Sequence, residues 1–458
     1  MSRSSHALDV SPPVHRGMAV LDKAAFRKSI PILAVKVPPE AVSTFLSSKV
    51  LKNALLNVRK VKSVTPAEDG GRLVLLRVQN QSKTADLSPE ASGLIEKQNA
   101  ELVPYTLEFD YDYWLADEIL HSVLPEDLVQ GAPSGFAAMG HIAHLNLTDE
   151  YLPYKHLIGQ VILEKNSNVK TVVNKVNTIS NQFRVFPMEL LAGEPNYVVE
   201  HHESDCTFTF DFSQVYWNSR LQTEHARLVE QFSPADVVAD VFAGVGPFSI
   251  PAAKRGCAVL ANDLNPVSYK YLVQNIANNK VSTFVRPSCK DGREFIREVF
   301  NAAYDDPLPP APRPKISRSK TKEQNKQARI AGTQKASLPP SPPASPRRRI
   351  TQFAMNLPAT AIEFLDAFRG VLAPGNAGER PMRELYDAPE RMPKVHCYCF
   401  TKELEPERAD VDIRRRVEEM LGAPLGKETS TYLVRSVAPN KEMYCISFRL
   451  PYEVAFAA

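Results

Sequence analysis

Four carboxylates and one amide stand out in this sequence for the residues around them: Glu224, Asp240, Asp263, Asp291 and Asn356. Asp240 closes a short β-branched run and is followed by Val-Phe-Ala-Gly244-Val-Gly246-Pro-Phe248. Two glycines in that spacing let the backbone pass close to a ligand. Pro247 suits the first position of a helix, whose free N–H groups would point back at the turn. A second apolar run, Ala258 to Ala261, ends at Asn262-Asp263, 23 residues beyond Asp240. A carboxylate at that distance is placed to accept both hydroxyl protons of a ribose. Strand, glycine turn, helix, strand and acid together make a cradle for an adenosine-containing cofactor. The third glycine position of the dinucleotide fingerprint is Ser249 rather than Gly or Ala, and an isolated G-x-G also occurs in ordinary buried turns. The Asp at the first strand end and the Asn-Asp-Leu-Asn-Pro run favour S-adenosylmethionine over a nicotinamide.

Three polar groups complete the chemistry. Tyr216-Trp-Asn-Ser-Arg220-Leu-Gln-Thr-Glu224-His225 stands directly before the cofactor strand, with Arg220 and Glu224 four apart on one predicted helical face. The same spacing also makes an ordinary surface ion pair. Asn356-Leu-Pro358 lies at a strand's carboxyl end, where open α/β sheets bind ligands. It resembles the Asn-Pro-Pro-Tyr motif of methyltransferases acting on planar nitrogen, with Leu357 in place of Pro and Ala359 in place of the aromatic; a generic strand-end turn reads the same way. Cys289-Lys-Asp291-Gly292 follows the third strand candidate. An acid there can accept an adenine amine, and the glycine leaves the backbone free to approach the ring.

The elements that must position these groups follow from periodicity. Ile30–Lys36 and Leu73–Val78 read as strands, with helices over Ala41–Leu56 and Asp112–Val123. Gly140–Leu147 and Thr207–Phe212 alternate as strands do. A Ser219/Gln222 capping box opens a helix carrying Leu221, Leu228, Val229 and Phe232. Strands and helices then alternate to the end of the chain, which predicts an open, largely parallel sheet. Four parts result: a flexible leader at 1–28, an α/β domain at 29–124, a small strand-rich domain at 125–211, and an α/β domain at 212–458. Residues 307–349 interrupt the last as a disordered basic insertion rich in Pro and Ser.

Composition bounds the rest. At 458 residues the chain can build two or three cores. No run of 18 apolar residues appears, which argues against a membrane span. The six cysteines lack zinc-like pairing, and Cys397-Tyr-Cys399 reads as core packing rather than a metal site. The insertion carries a net +10 within a chain of formal charge +3, so the remainder carries −7. Its basic run suits electrostatic capture of RNA or nuclear import, and equally a tolerated loop expansion, since loop-closure entropy grows only logarithmically with length. Arg3, Arg16, Lys23, Arg27 and Lys28 in the leader are accompanied by Asp9 and Asp22, between a transit peptide and an ordinary leader.

Taken together, Gly140–Leu147, Phe183-Arg184 through Glu194, Val215–His225, Asp240–Phe248 and Met355–Pro358 resemble the eukaryotic and archaeal tRNA (guanine(37)-N1)-methyltransferase family. The resemblance covers most of the chain after the leader. It implies a class I (Rossmann-like) S-adenosylmethionine methyltransferase domain preceded by two smaller α/β and α+β domains, the first of them tRNA-binding. It further implies a monomer that contacts the anticodon loop and the L-shaped body of tRNA, in cytoplasm, nucleus and mitochondrial matrix. Carried over by motif, Glu224 is the general base, Arg184 the partner of guanine O6 or a nearby phosphate, Asn356 a holder of the guanine and Tyr216 part of its pocket. His225, Asp263, Leu264, Asp291, Gly292 and Asn356 become cofactor contacts, beside Asp240, Gly244 and Gly246 from the turn itself; no metal is implied. Guanine N1 carries a proton and attacks a methyl group only once a carboxylate removes it; a partly desolvated Glu with a raised pKa would suit that step. The rival readings are a methyltransferase for another nitrogen and a catalytically idle RNA-binding protein. A nicotinamide oxidoreductase stands behind both.

Overall fold

The computed structural model describes residues 8–79, 87–176, 183, 185–312 and 345–458, which form two compact units. Unit 1 comprises Met1–Asn177 and Met188–Asn196; unit 2 comprises Thr178–Pro187 and Tyr197–Ala458.

Unit 1 holds two four-stranded sheets. In the first, β1 (Lys28–Val37) lies between β3 (Arg72–Gln79) and β4 (Glu101–Phe109), all antiparallel, with β2 (Val64–Pro66) at the edge. The second runs β5 (Ala137–Met139), β6 (Ile142–Leu145), β7 (Thr171–Lys175) and β8 (Met188–Gly193). One core joins them: Phe26, Ile32, Leu107 and Trp114 cluster with Leu145, Ile158, Val161 and Leu191. The boundary expected at 124 is therefore internal to unit 1, because apolar residues on both sides of it share one interior.

Two further expectations for this unit change. The helix expected over Ala41–Leu56 stops as α1 (Val42–Ser47), where Ser48 turns extended at ψ 121 and carries the chain to bury Leu51. The leader is not free from residue 8 onward. Val10 O accepts Trp114 Nε1 at 2.8 Å, His15 N donates to Ser122 O at 2.8 Å, and Phe26 is buried. Backbone pairing of this kind leaves no trace in charge or periodicity.

Unit 2 is organised by a seven-stranded sheet. Its strands are β11 (Val237–Asp240), β12 (Ala258–Asn262), β13 (Val285–Ser288), β14 (Gln352–Met355), β15 (Lys394–Thr401), β16 (Ser430–Ala438) and β17 (Lys441–Arg449), in the order 13-12-11-14-15-17-16. The first five are parallel, and β17 inserts antiparallel between β15 and β16. That is the class I methyltransferase arrangement. β11 is buried along its whole length, as a parallel strand covered on both faces must be. Helices α5 (Gln222–Glu230), α6 (Ser249–Lys254), α7 (Pro266–Asn278) and α8 (Gly292–Asp305) accompany the first half of the sheet.

The hairpin β9 (Val198–Glu203) and β10 (Cys206–Asp211) belongs to this unit rather than to a middle domain. Asn275 of α7 and Asn279, the residue that caps its C-terminus, bind it: Oδ1 of each accepts a backbone N–H, from Thr209 at 2.8 Å and Thr207 at 3.0 Å. The Ser219/Gln222 capping box does not form. Asn218 caps a short 3-10 turn over Ser219–Leu221 instead, and α5 begins after it.

Of the expected insertion, residues 313–344 lie outside the described residues. Its two ends are pinned. Leu308 and Arg347 exchange backbone hydrogen bonds at 2.8 Å, and Leu308 is buried in the core. Arg347 also donates to the carbonyls of Pro309, Pro234, Asp236 and Gly256. Residues 307–312 and 345–349 are thus part of the fold. Among the described residues no helix is long and apolar enough to cross a membrane, and no cluster of three His, Cys, Asp or Glu could hold a metal ion. Cys397 and Cys399 are buried in the core of unit 2.

Candidate active site

The glycine turn after β11 requires its glycines for two different reasons. Gly246 has φ +101, and a Cβ there would lie 2.8 Å from Ile250 Cδ1 and 3.0 Å from Leu272 Cδ1. Gly244 has φ +57 but faces open space. The first glycine therefore fits the fold, while the second leaves room beside the backbone. Pro247 does not begin the helix; Phe248 caps α6, which starts at Ser249.

Three neighbours hold the turn. Asp263 Oδ2 accepts the Gly244 N–H at 2.8 Å, while its Oδ1 accepts Asn265 N–H at 2.9 Å. Asn275 Nδ2 donates to Val245 O at 3.2 Å. Asn262 ties the turn to the next loop, donating to Val241 O and Lys290 O and accepting from Lys290 N and Ser288 Oγ. Asp263 was expected to face a ribose with both oxygens. In the structure each oxygen already takes one backbone N–H, which leaves one lone pair per oxygen for a ligand.

Asp240 is fully buried. Its Oδ2 accepts from Ser249 Oγ at 2.7 Å, and its Oδ1 has no partner. Burial pushes its pKa up to about 7, and the neighbouring charge of Asp263 adds to the effect. Burial also raises the pKa of Asp263. Asp263, with spare acceptor capacity beside an open glycine, suits a ligand that brings hydroxyl donors, whereas Asp240, expected as a cofactor contact, is fully buried and out of a ligand's reach.

Strand register brings the other candidates to the same edge. Asp240 pairs with Ala261 and with Ala354, and Asn262 with Ser288. Asp263, Asp291 and Asn356 each follow one of these strand ends, so all three stand at the carboxyl edge of the sheet. Asp291 caps α8, with Oδ1 accepting Arg293 N at 2.9 Å and Glu294 N at 3.4 Å, so its other oxygen is left over. A Cβ on Gly292 would lie 2.9 Å from Phe242 and 3.0 Å from Phe364. Leu264 is exposed beside Asp263, an apolar surface against which a flat ring can pack. Asn356 Oδ1 is buried without a hydrogen-bond partner. An orphaned acceptor at a strand end, an open glycine and an exposed leucine together fit an adenosine-bearing cofactor and a planar amine.

Glu224 reaches this edge through Tyr398. Met355 pairs with Cys397, so Tyr398 stands level with Asn356, about 5 Å away across the ladder. Tyr398 Oη donates to Glu224 Oε1 at 2.7 Å. Glu224 is buried and forms a two-pronged pair with Arg227, whose Nε and Nη2 donate at 2.6 Å each. Arg220 is not the partner. It lies in the 3-10 turn, outside α5, where four-residue spacing no longer shares a face, and it is exposed.

His225 is buried with Nδ1 bonded to Glu203 at 2.6 Å and its ring edge-on to Phe248, 4.8 Å between centroids. Tyr216 is exposed, with Asn218 Nδ2 3.5 Å from its hydroxyl. Arg184 lies outside the described residues. Sequence reasoning missed Glu203, Arg227, Asn262, Asn275 and Tyr398 as site residues. Only Arg227 carried a local signal, three residues after Glu224.

Comparison with known proteins gives this edge its family. A family model described as the TRM5/TYW2 methyltransferase domain matches residues 199–303, and one described as the TYW2 N-terminal domain matches residues 116–196. A tRNA (guanine(37)-N(1))-methyltransferase of Coprinopsis cinerea is 58% identical over 98% of this chain and 98% of its own. The chain belongs to that family. Relatives of the same name from Schizosaccharomyces pombe and Saccharomyces cerevisiae are 44% and 41% identical, over 95% and 99% of this chain and 95% and 96% of theirs. Among solved structures, Trm5b of Pyrococcus abyssi is 25% identical with a TM-score of 0.52, covering 92% of this chain and all of that one. A complex of aTrm5 with tRNALeu is 20% identical at a TM-score of 0.55 over 92% of this chain and all of its own, and shows the shared fold. The match of residues 199–303 to this methyltransferase domain covers the glycine turn and the first three strands of the sheet.

Proposed function

We propose that this chain transfers a methyl group from S-adenosylmethionine to N1 of guanosine 37 in tRNA. Glu224 carries the reading: it is a buried carboxylate bonded to Tyr398, on the strand that pairs with the one leading to Asn356. When bound, the cofactor supplies an electrophilic methyl on a sulfonium sulfur. Asp263, Leu264, Asp291, Gly292 and the Gly244 backbone would hold its adenosine, with His225 and the fully buried Asp240 packed behind. Asn356 offers its free Oδ1 to the guanine's N–H edge, and Tyr216 covers the ring. Glu224 takes the N1 proton, so that the pair left on nitrogen makes the new bond. Arg184 is assigned to the negative charge that gathers on O6, where a guanidinium gains most.

The same reading covers the partner and the compartment. The protein acts as a monomer on the anticodon loop. Four exposed lysines of unit 1 (Lys49, Lys52, Lys60 and Lys62) suit the phosphates of the tRNA body, Arg59 between them being paired with Glu118. It works in cytoplasm, nucleus and mitochondrial matrix, which fractionation of a tagged protein tests.

The deciding experiment incubates unmodified tRNA carrying guanosine 37 with labelled cofactor and identifies the product nucleoside. N1-methylguanosine is expected, and any other methylated nucleoside overturns the assignment. Glu224→Gln keeps cofactor binding and loses about 100-fold or more in single-turnover rate. Wild-type single-turnover methylation by that variant removes Glu224 from the role.

A further inference from the structure

The two oxygens of Glu224 are not equivalent. Oε1 accepts from Arg227 Nη2 at 2.6 Å and from Tyr398 Oη at 2.7 Å, whereas Oε2 accepts only from Arg227 Nε at 2.6 Å. A carboxylate oxygen has two lone pairs, so Oε1 is filled and Oε2 keeps one free. We infer that Arg227 and Tyr398 are positioning residues for methyl transfer: they occupy Oε1 and reserve Oε2 for the guanine N1 proton. This rests on the reading of Glu224 as the base.

In the step itself the N1–H bond breaks and its proton passes to Oε2. The nitrogen pair forms the N–C bond while the C–S pair stays on sulfur. Arg227 and Tyr398 hold the carboxylate in one orientation throughout that transfer. Arg227 is itself fixed, its guanidinium lying 4.0 Å above the Tyr432 ring, and its bond to Glu224 holds it protonated.

The surrounding groups leave Arg227 and Tyr398 in control. From β15 come Tyr398 and His396. Burial keeps the Tyr398 hydroxyl protonated, and the charges of Cys445 and Glu224 add to that. His396 is bonded to Ser447 Oγ and Gln352 Oε1, and burial lowers its pKa to about 3, so it stays neutral. Cys445 on β17 is a buried thiol pushed up to about 11 by burial. On α5 itself His225 has Nδ1 committed to Glu203.

The test is single-turnover methylation of a guanosine-37 tRNA at saturating cofactor, read as the maximal rate and, separately, the tRNA concentration at half-saturation. Tyr398→Phe and Arg227→Gln are expected to lose roughly tenfold in maximal rate with half-saturation unchanged. Arg227→Lys restores most of that rate. Melting temperature and calorimetric cofactor affinity identify folded variants; should Arg227→Gln not fold, Tyr398→Phe and Arg227→Lys carry the test. An unchanged maximal rate, or a loss confined to tRNA or cofactor affinity, overturns the inference. Glu224→Gln separates the two levels: if it abolishes turnover while Tyr398→Phe and Arg227→Gln keep the full rate, only the positioning role fails. If it turns over normally, the base assignment fails as well.

Discussion

Asp240→Asn turns the buried strand-end carboxyl into a measurement. Asp240 is fully buried, one oxygen is unpartnered, and its pKa lies at about 7 against an ordinary 3.8. The folded state therefore binds this proton more tightly than the unfolded chain, by roughly 4 kcal/mol at most. Below about pH 4 both states are protonated and the contribution to stability is fully present. As pH rises from about 4 to about 7 the unfolded chain ionises and the folded one does not, so the contribution is lost progressively. Above about 7 both are ionised and the curve is flat again. Asparagine mimics the neutral acid and does not titrate, and its Oδ1 can still accept the Ser249 hydroxyl. Urea unfolding of both proteins at a series of pH values isolates the effect, because titrating groups that do not interact with Asp240 cancel in the difference; Asp263, whose charge helps raise the Asp240 pKa, is replaced by Asn in both proteins to remove its share. The variant should gain on the wild type by up to about 4 kcal/mol between roughly pH 4 and pH 7, with no further gain above. A difference independent of pH, or one that runs the other way, would refute the burial argument.

The two glycines of the turn should separate fold from ligand. Gly246→Ala must displace Ile250 and Leu272 and adopt φ +101, at a cost of about 3 kcal/mol that a thermal melt will show. Gly244→Ala costs only about 1 kcal/mol in stability. It should nevertheless weaken cofactor binding at least about tenfold by calorimetry, because its Cβ enters the open side of the cradle; unchanged affinity would show that the cofactor does not pass there. Arg347→Ala strips donors from Pro309, Pro234, Asp236 and Gly256 and should cost about 2 kcal/mol. An unchanged melting temperature would mean that the stem of the 313–344 segment is closed by the Leu308 pairing alone.

The sequence by itself determined several features that lie within a few contiguous residues, although the Pro247 helix start and the Ser219/Gln222 cap, equally local, did not form. Asp240 at a strand end, the glycines of the turn, the acid after the second strand and the parallel alternation are all local matters of periodicity and turn chemistry, and the structure shows each of them. Family motifs added Glu224 and Asn356, which no spacing could have singled out from a surface ion pair or a plain turn. Only the tertiary structure decided who partners whom. Tyr398 meets Glu224 across 174 residues, through the register of β14 and β15. Arg227 displaced Arg220 because a 3-10 turn shifted the start of α5. The leader joined unit 1 through backbone hydrogen bonds, and the β9–β10 hairpin joined unit 2 through Asn275 of α7 and Asn279 at its C-terminal cap. Contacts of this kind depend on where distant backbones run, and periodicity carries no record of that.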